Sequence, residues 1–481
     1  MNKRHPLRII LAAATAAALA GGLLTLVAGP ATAVTAKFAD DFNGDGFRDL
    51  VTAAPNTTVG GVKYAGAIVV NYGSASGISA SHRKVITQNS SGIPGTAEYK
   101  DSFGDALASG DLNNDGYADV VVGAPGEDVG DDTEGGTAVV IWGSASGLSS
   151  ARTIGDPKPA AHDRFGQSLA IGDFSGDGKA DLAAGSSGKD IWIHKGGFTK
   201  SSGAASRYEL TAPLQTGTDH GTALLLSGDV NGDGTDDLIV NGTYFNTSSK
   251  YDGTLVYLGS PSGLAFDTVV QSDKQAAVGD INGDGFDDVV ASEWWGGSVD
   301  SVGGSITTYL GGSSGIRTDR GQTIDQDTPG VPGADESSDY FGYAVSLGDI
   351  DGDGRADAAV SAFYESIGDA TLTGSVTVLR GTSAGLSASG AKVFHQDTAG
   401  IPGANEDNDH FGSSVRLADL NGDHYADLSV GAETENAGDG ALWSLRGSSS
   451  GVTTKNAVSF GAASEGISTS GAPFFGASML R

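Results

Sequence analysis

The sequence predicts an all-β protein, a seven-bladed β-propeller of four-stranded antiparallel blades. An acidic nine-residue loop, D-x-[N/D/S]-[G/N]-D-[G/H]-x-x-D, begins at Asp41, Asp111, Asp173, Asp229, Asp280, Asp349 and Asp419. Successive loop starts are 70, 62, 56, 51, 69 and 70 residues apart, room for four short strands and their turns. Such a unit is too long for one coil of an open solenoid. The two ends of the chain also complement each other: Phe474-Phe475-Gly476-Ala477 looks like the opening of an eighth module, whereas Lys37-Phe38 enters the first module with almost no preceding strand. A ring closed across its termini needs such ends, although both could compete for the same innermost position.

One module shows the elements in order. Phe103-Gly104 opens an apolar stretch through Leu107, the acidic loop runs from Asp111 to Asp119, and Val120-Val122 leads into Gly123-Ala124-Pro125. Thr137 to Trp142 forms a third strand, Gly143 to Gly147 reverses the chain, and a fourth strand follows. Apolar runs this short, punctuated by glycine and aspartate, are strands rather than helices. The same turn recurs at Gly73, Gly196, Gly259, Gly311, Gly381 and Gly447. Trp142, Trp192 and Trp443 fall at equivalent third-strand positions and are expected in the core.

Residues 1–33 carry a basic start (Lys3, Arg4, Arg8), an alanine- and leucine-rich run and the ending Ala31-Thr32-Ala33. They read as a secretory signal peptide, with the propeller as a single domain over residues 34–481 and no stable membrane insertion after cleavage. The net charge of -31 makes nucleic acid and anionic membranes poor partners. Cysteine is absent, so no disulfide supports the fold.

The acids are concentrated in the repeated loops, where positions 1, 3, 5 and 9 offer oxygen ligands. These are Asp41, Asn43, Asp45 and Asp49; Asp111, Asn113, Asp115 and Asp119; Asp173, Ser175, Asp177 and Asp181; and Asp229, Asn231, Asp233 and Asp237. The remaining sets are Asp280, Asn282, Asp284 and Asp288; Asp349, Asp351, Asp353 and Asp357; and Asp419, Asn421, Asp423 and Asp427. Calcium takes six to eight oxygens in a flexible shell, and oxygen-only donors disfavour zinc. The competing reading is a set of Asx turns whose carboxylates bond only to backbone amides. Three carboxylates kept in every copy favour about one Ca²⁺ per loop, six to seven in total. Ser175 weakens the third loop, and His424 replaces the glycine of the seventh, so these two are the expected weak sites.

With these motifs in view, the chain resembles the FG-GAP repeat family, found in integrin α chains and in related secreted bacterial proteins. Phe-Gly occurs at Phe103-Gly104, Phe165-Gly166, Phe341-Gly342, Phe411-Gly412 and Phe475-Gly476. His220-Gly221 replaces it in the fourth module, and the fifth, near Gln275-Ala276, has no recognisable equivalent. The resemblance implies calcium loops on one propeller face and ligand-binding loops on the other.

The sequence weighs against an enzyme. Gly311-Gly-Ser313-Ser-Gly315 and Gly447-Ser-Ser449-Ser-Gly451 match G-x-S-x-G but occupy the repeated turn, where a nucleophile elbow would need a strand followed by a helix. The eight histidines show no zinc-ligand spacing. Recognition is expected on the variable segments 127–135, 293–300 and 365–374, with Trp294, Trp295, Glu127, Asp128 and Tyr340 as candidate ligand contacts. The expected role is a secreted or cell-surface-associated monomer that binds an extracellular protein or glycan. The alternatives are an extracellular hydrolase of polysaccharide or phosphoester substrates and a structural secreted protein.

Overall fold

A computed structural model of the chain describes residues 36–481 apart from 218–219, 246–249, 274 and 295–301. The signal-peptide assignment and Trp295 therefore lie outside the described residues. Among the described residues the strands form seven separate antiparallel sheets, six with the four strands the repeat predicts and one with three. In the second blade they run Leu107–Gly110, Asp119–Ala124, Thr137–Trp142 and Ser150–Gly155, each paired with the next. The middle two strands are buried along their whole length, and the outer strand fully buries only Ile154. Continuous apolar runs such as Val120-Val121-Val122 suit a strand covered on both faces, here by the neighbouring blades.

The core is accordingly distributed between blades. Each of seven clusters of buried apolar side chains joins two adjacent sheets. Trp142 and Trp443 are almost fully enclosed and Trp192 is buried, as their strand positions predicted. The Phe-Gly elements plug the blade junctions. Phe103 is fully buried and its N–H donates to the Ala65 carbonyl of the preceding blade at 3.0 Å. Gly104 follows at φ 105°, where a Cβ would stand 3.0 Å from Ile68 Cγ2, so glycine permits both the backbone turn and the close approach. The fourth and fifth blades form without this dipeptide: their inner strands, Thr222–Gly228 and Ala276–Gly279, still pair with the strands that follow.

The three-stranded sheet, Leu50–Ala54, Ala67–Asn71 and Arg83–Ile86, is the first blade. Its missing inner position is taken by the C-terminal segment. Gly476 N–H donates to the Ala53 carbonyl at 3.1 Å, Ala53 N–H to Ser478 at 2.9 Å and Leu480 N–H to Val51 at 3.0 Å. Phe475, fully buried, also reaches the seventh blade through a bridge to Gly440. Arg416 of that blade bonds to the Leu480 carbonyl and forms an ion pair with buried Asp40. The C-terminus thus wins the position for which the two ends competed.

Truncating Phe475 to alanine removes the apolar anchor of this closure. Denaturant unfolding of Phe475→Ala should show a loss of about 3–5 kcal/mol, the usual cost of emptying a buried phenylalanine site. A loss below about 1 kcal/mol would mean the segment does not hold the ring shut.

Candidate functional sites

The acidic loops lie between the inner and second strands. In the first, Asp41 Oδ1 accepts N–H groups from Gly44 at 2.7 Å and Asp45 at 3.2 Å, and its Oδ2 accepts from Gly46 at 2.9 Å. Asp280, Asp349 and Asp419 repeat this pattern. The residue at position 2 turns inward: Phe42, Leu112, Phe174, Val230, Ile281, Ile350 and Leu420 are all buried. Each loop is therefore anchored in the blade by its second residue.

Position 9 does something different. Asp49 Oδ1 accepts the Gly73 N–H at 2.9 Å and Oδ2 accepts the Phe42 N–H at 2.9 Å. In every blade the equivalent aspartate accepts from the glycine that opens the hairpin turn: Gly143, Gly196, Gly259, Gly311, Gly381 and Gly447 in the other six. Both G-x-S-x-G matches are thereby fixed as turns. Burial pushes Asp49 and Asp119 up to about 8, against the opposing pull of these amide bonds, and neighbouring loop carboxylates add to the rise.

The donor set fits a hard cation. Asp349, Asp351 and Asp353 bring one oxygen each within 4.8 Å of one another. Asn113 Oδ1, Ser175 Oγ, Asp181 Oδ2 and Asp351 Oδ1 are enclosed with no hydrogen-bond partner, which is costly for a buried oxygen unless a cation accepts it. Asn231 and Asn282 hold the same loop position as Asn113. The seventh loop departs from the rest. Asn421 turns its amide onto both oxygens of Asp427, at 3.2 and 3.1 Å, while Arg446 bonds to the same carboxylate at 3.1 Å. His424 holds φ 72°, the left-handed backbone its position demands.

The opposite face carries an aromatic cluster built from three blades. Trp294 packs on Tyr340 at 5.2 Å and on Tyr343 at 5.1 Å between ring centroids. Tyr343 stacks on Phe363 at 4.0 Å, Tyr340 leans on Tyr364 at 4.8 Å, and His410 closes the group against Phe363 at 4.4 Å and Tyr364 at 4.9 Å. Of the proposed contacts, Trp294 and Tyr340 thus meet. Glu127 and Asp128 belong to another blade: Glu127 accepts the Gln88 amide at 2.5 Å and Asp128 caps Glu134 N–H at 2.9 Å.

Sequence reasoning passed over His410 and Glu433. Burial lowers the His410 imidazole to about 4 and lifts the Glu433 carboxyl to about 7, and the Glu433 charge bears on Tyr343. Both groups therefore border the same aromatic wall. Tyr343 also lines the axial cavity of about 490 Å³, together with Gln275, Ser413 and Arg481. Arg481 donates to Gln275 Oε1 there at 2.6 Å. No linear motif marks this group, because its members come from separate modules.

Comparison with known proteins agrees with the architecture. Residues 38–70, 103–141, 165–205, 341–379 and 411–445 match the FG-GAP repeat, leaving unmatched the two blades that lack Phe-Gly. Five of the seven blades thus carry segments that match the FG-GAP repeat. It is 32% identical over 177 residues to human phosphatidylinositol-glycan-specific phospholipase D, covering 33% of this chain and 21% of the relative. It is 30% identical over 249 residues to integrin alpha pat-2 of Caenorhabditis briggsae, covering 46% and 20%, and 34% identical over 167 residues to integrin alpha-PS5 of Drosophila melanogaster, covering 33% and 15%. The chain spans about a fifth of the length of such relatives.

Two expectations are corrected by these matches. The resemblance to secreted bacterial proteins is replaced by relatives from human, mouse, cattle, rat, worm, fly, frog and hamster. The loop and glycine motifs report a fold and carry no mark of source. The weighing against an enzyme is overturned by the phospholipase D relatives from four mammals. Missing nucleophile and zinc motifs were its basis, and a site assembled across blades leaves no such motif.

The strained histidine offers a direct test of loop seven. A left-handed backbone costs a non-glycine residue about 1–2 kcal/mol, part of which glycine returns through its freer unfolded chain. His424→Gly should stabilise the protein by about 0.5–1 kcal/mol in denaturant titrations. Destabilisation would show that the imidazole makes a compensating contact.

Proposed function

We propose that the protein is exported by its leader, residues 1–33, and acts as a calcium-holding propeller in the hydrolysis of a phosphoester substrate. The observation that carries this reading is the match of the repeats to phosphatidylinositol-glycan-specific phospholipase D. The face opposite the acidic loops is the surface for substrate. Arg481 supplies positive charge for a phosphodiester, and the aromatic wall supplies flat apolar area for a glycan. Glu433, close to half protonated near neutrality, acts as general acid, and neutral His410 accepts the proton of the attacking water. One P–O bond forms from water and one breaks, with the departing alkoxide taking the Glu433 proton. Among the described residues no helix is long and apolar enough to cross a membrane.

Purified full-length protein in calcium, incubated with a phosphatidylinositol-glycan-anchored reporter, should release it. His410→Ala and Glu433→Gln should each lower kcat by about 100-fold or more while leaving the melting temperature close to that of the parent. The parent rate should fall as pH rises through about 7, where Glu433 loses its proton. No turnover by the folded, calcium-loaded protein, or full activity in both variants, would overturn the reading. The integrin α relatives and the Trp294–Tyr340 contact favour a second reading, adhesion. Glycan or cell-surface binding that Trp294→Ala abolishes, in the absence of turnover, would select it.

Calcium in the acidic loops is the second element of the proposal. The cation compensates the clustered carboxylates and binds only where the loop is folded, so each filled site adds about 2.7 kcal/mol at a free concentration 100 times its Kd. Thermal melts in EDTA should lie well below those in calcium and recover on titration. Coincident melts after verified removal of metal would exclude this role.

A further inference from the structure

A pocket of about 290 Å³ lies between the outer parts of the second and third blades, walled on one side by the strand Ser150–Gly155 and on the other by the last hairpin of the third blade. Its buried polar group is His194, in the strand Asp190–Lys195, and Arg152 and Arg207 line it from the two blades. Strand pairing brings two of these together, since His194 stands opposite Arg207 on the outer strand Ser206–Thr211. The hairpin between the strands makes room for the third. Thr199 and Gly203 exchange backbone hydrogen bonds at 3.0 and 2.9 Å, Gly203 holds φ 74°, and a Cβ there would stand 3.0 Å from Arg152 Nε.

The charge of this pocket runs against that of the chain. Among the described residues neither Arg152 nor Arg207 forms an ion pair, and no carboxylate lines the pocket, in a protein of net charge -31. Glu209, two residues beyond Arg207, bonds to Lys158 instead. Arg152 gives one N–H to the Ser201 carbonyl at 2.7 Å, and the Arg207 guanidinium lies 5.9 Å from the centre of the Trp192 ring. His194 is 4% exposed, and its enclosed Nε2 has no hydrogen-bond partner. Burial, with Arg207 adding to it, lowers the imidazole to about 4, so the ring is neutral and keeps one N–H to donate. A buried donor without an acceptor is costly, and an acceptor that also carries negative charge answers all three side chains at once.

We propose that this pocket binds the phosphate or sulfate group of a small organic ester, with the oxyanion held by Arg152, Arg207 and His194. Each guanidinium is a planar fork whose paired N–H groups match two oxygens of such an anion. A carboxylate has two oxygens and suits one fork. The three free oxygens of a phosphate or sulfate ester serve both forks and the imidazole, and the hydroxyls of Ser202 and Ser206 line the same wall. A bare ion would leave much of the volume unused, whereas Ile154, Ala204 and Ala205 offer apolar surface to a carbon skeleton. The pocket shares no residue with the axial cavity, so this binding is separate from the hydrolysis proposed there.

Isothermal titration of the full chain in calcium tests this, with glucose 6-phosphate, glucose 6-sulfate, inorganic sulfate and glucose as probes. Both esters should bind saturably, inorganic sulfate about 10-fold more weakly, and glucose without measurable heat. Arg152→Ala and Arg207→Ala should each raise the Kd of both esters about 10-fold or more, the usual effect of losing a hydrogen bond between charged groups. Arg207 is exposed, so its truncation leaves the core intact and serves if Arg152→Ala fails to fold. Arg207→Lys, which keeps the charge and loses the fork, should also bind the esters more weakly than the parent. The heats report binding without turnover, so failure of the hydrolytic reading leaves this result unaffected. Absence of saturable ester binding, or unchanged affinity in the folded arginine variants, would overturn the proposal. Inorganic sulfate bound as tightly as the esters would overturn it in favour of a bare-ion site.

Discussion

Seven buried aspartates, one at the end of each acidic loop, hold the blades to their own geometry. Each spans two places at once, and in most blades its second oxygen returns to the amide at loop position 2. The glycine it grips has no alternative: a Cβ on Gly143 would stand 2.1 Å from the Ala118 carbonyl. One carboxylate thus sets where the second strand starts and where the third strand turns back. Its charge is the price of that control, because an ionised acid in the blade interior requires several donors or a nearby cation.

The parts legible in the sequence are those the repeat multiplies. Seven acidic loops fixed the number of blades, and the alignment of Trp142, Trp192 and Trp443 placed three large side chains in the core. Ring closure was half legible: Phe475-Gly476 was recognisable as a strand opening, but only the contact with Val51 and Ala53 decides which end fills the gap. The opposite face was read least well. Glu127 drew notice because its segment varies, and nothing in the sequence signalled that it accepts a hydrogen bond from Gln88 of the previous blade. The bond spans 39 residues and recurs from Gln326 to Glu365 and from Gln396 to Glu435. A lone glutamine gives no pattern until its amide is seen against a carboxylate. His410 packs on rings of the preceding blade and the Glu433 charge bears on Tyr343 there, which no local motif records.

The two faces divide their acidity in different ways. On the loop side the carboxylates accept backbone amides in rows, so their positions are set by the loop itself and repeat from blade to blade. On the other side the acids occur at junctions, and their partners are side chains from a neighbouring blade. Loops of the first kind are held together within one blade. Clusters of the second kind tie one blade to the next.

The bridge between Thr52 and Met479 has a consequence for how the chain is made. During synthesis six blades acquire all four strands as they emerge, but the first waits with its inner edge open until residues 476–480 have been made. The final step joins residues from opposite ends of the sequence and is slow for that reason. Until then an unpaired strand edge is available to other chains. After closure the same contact works in reverse, since no blade can peel away before the seam opens, and the lifetime of the native ring is governed by that one opening rate.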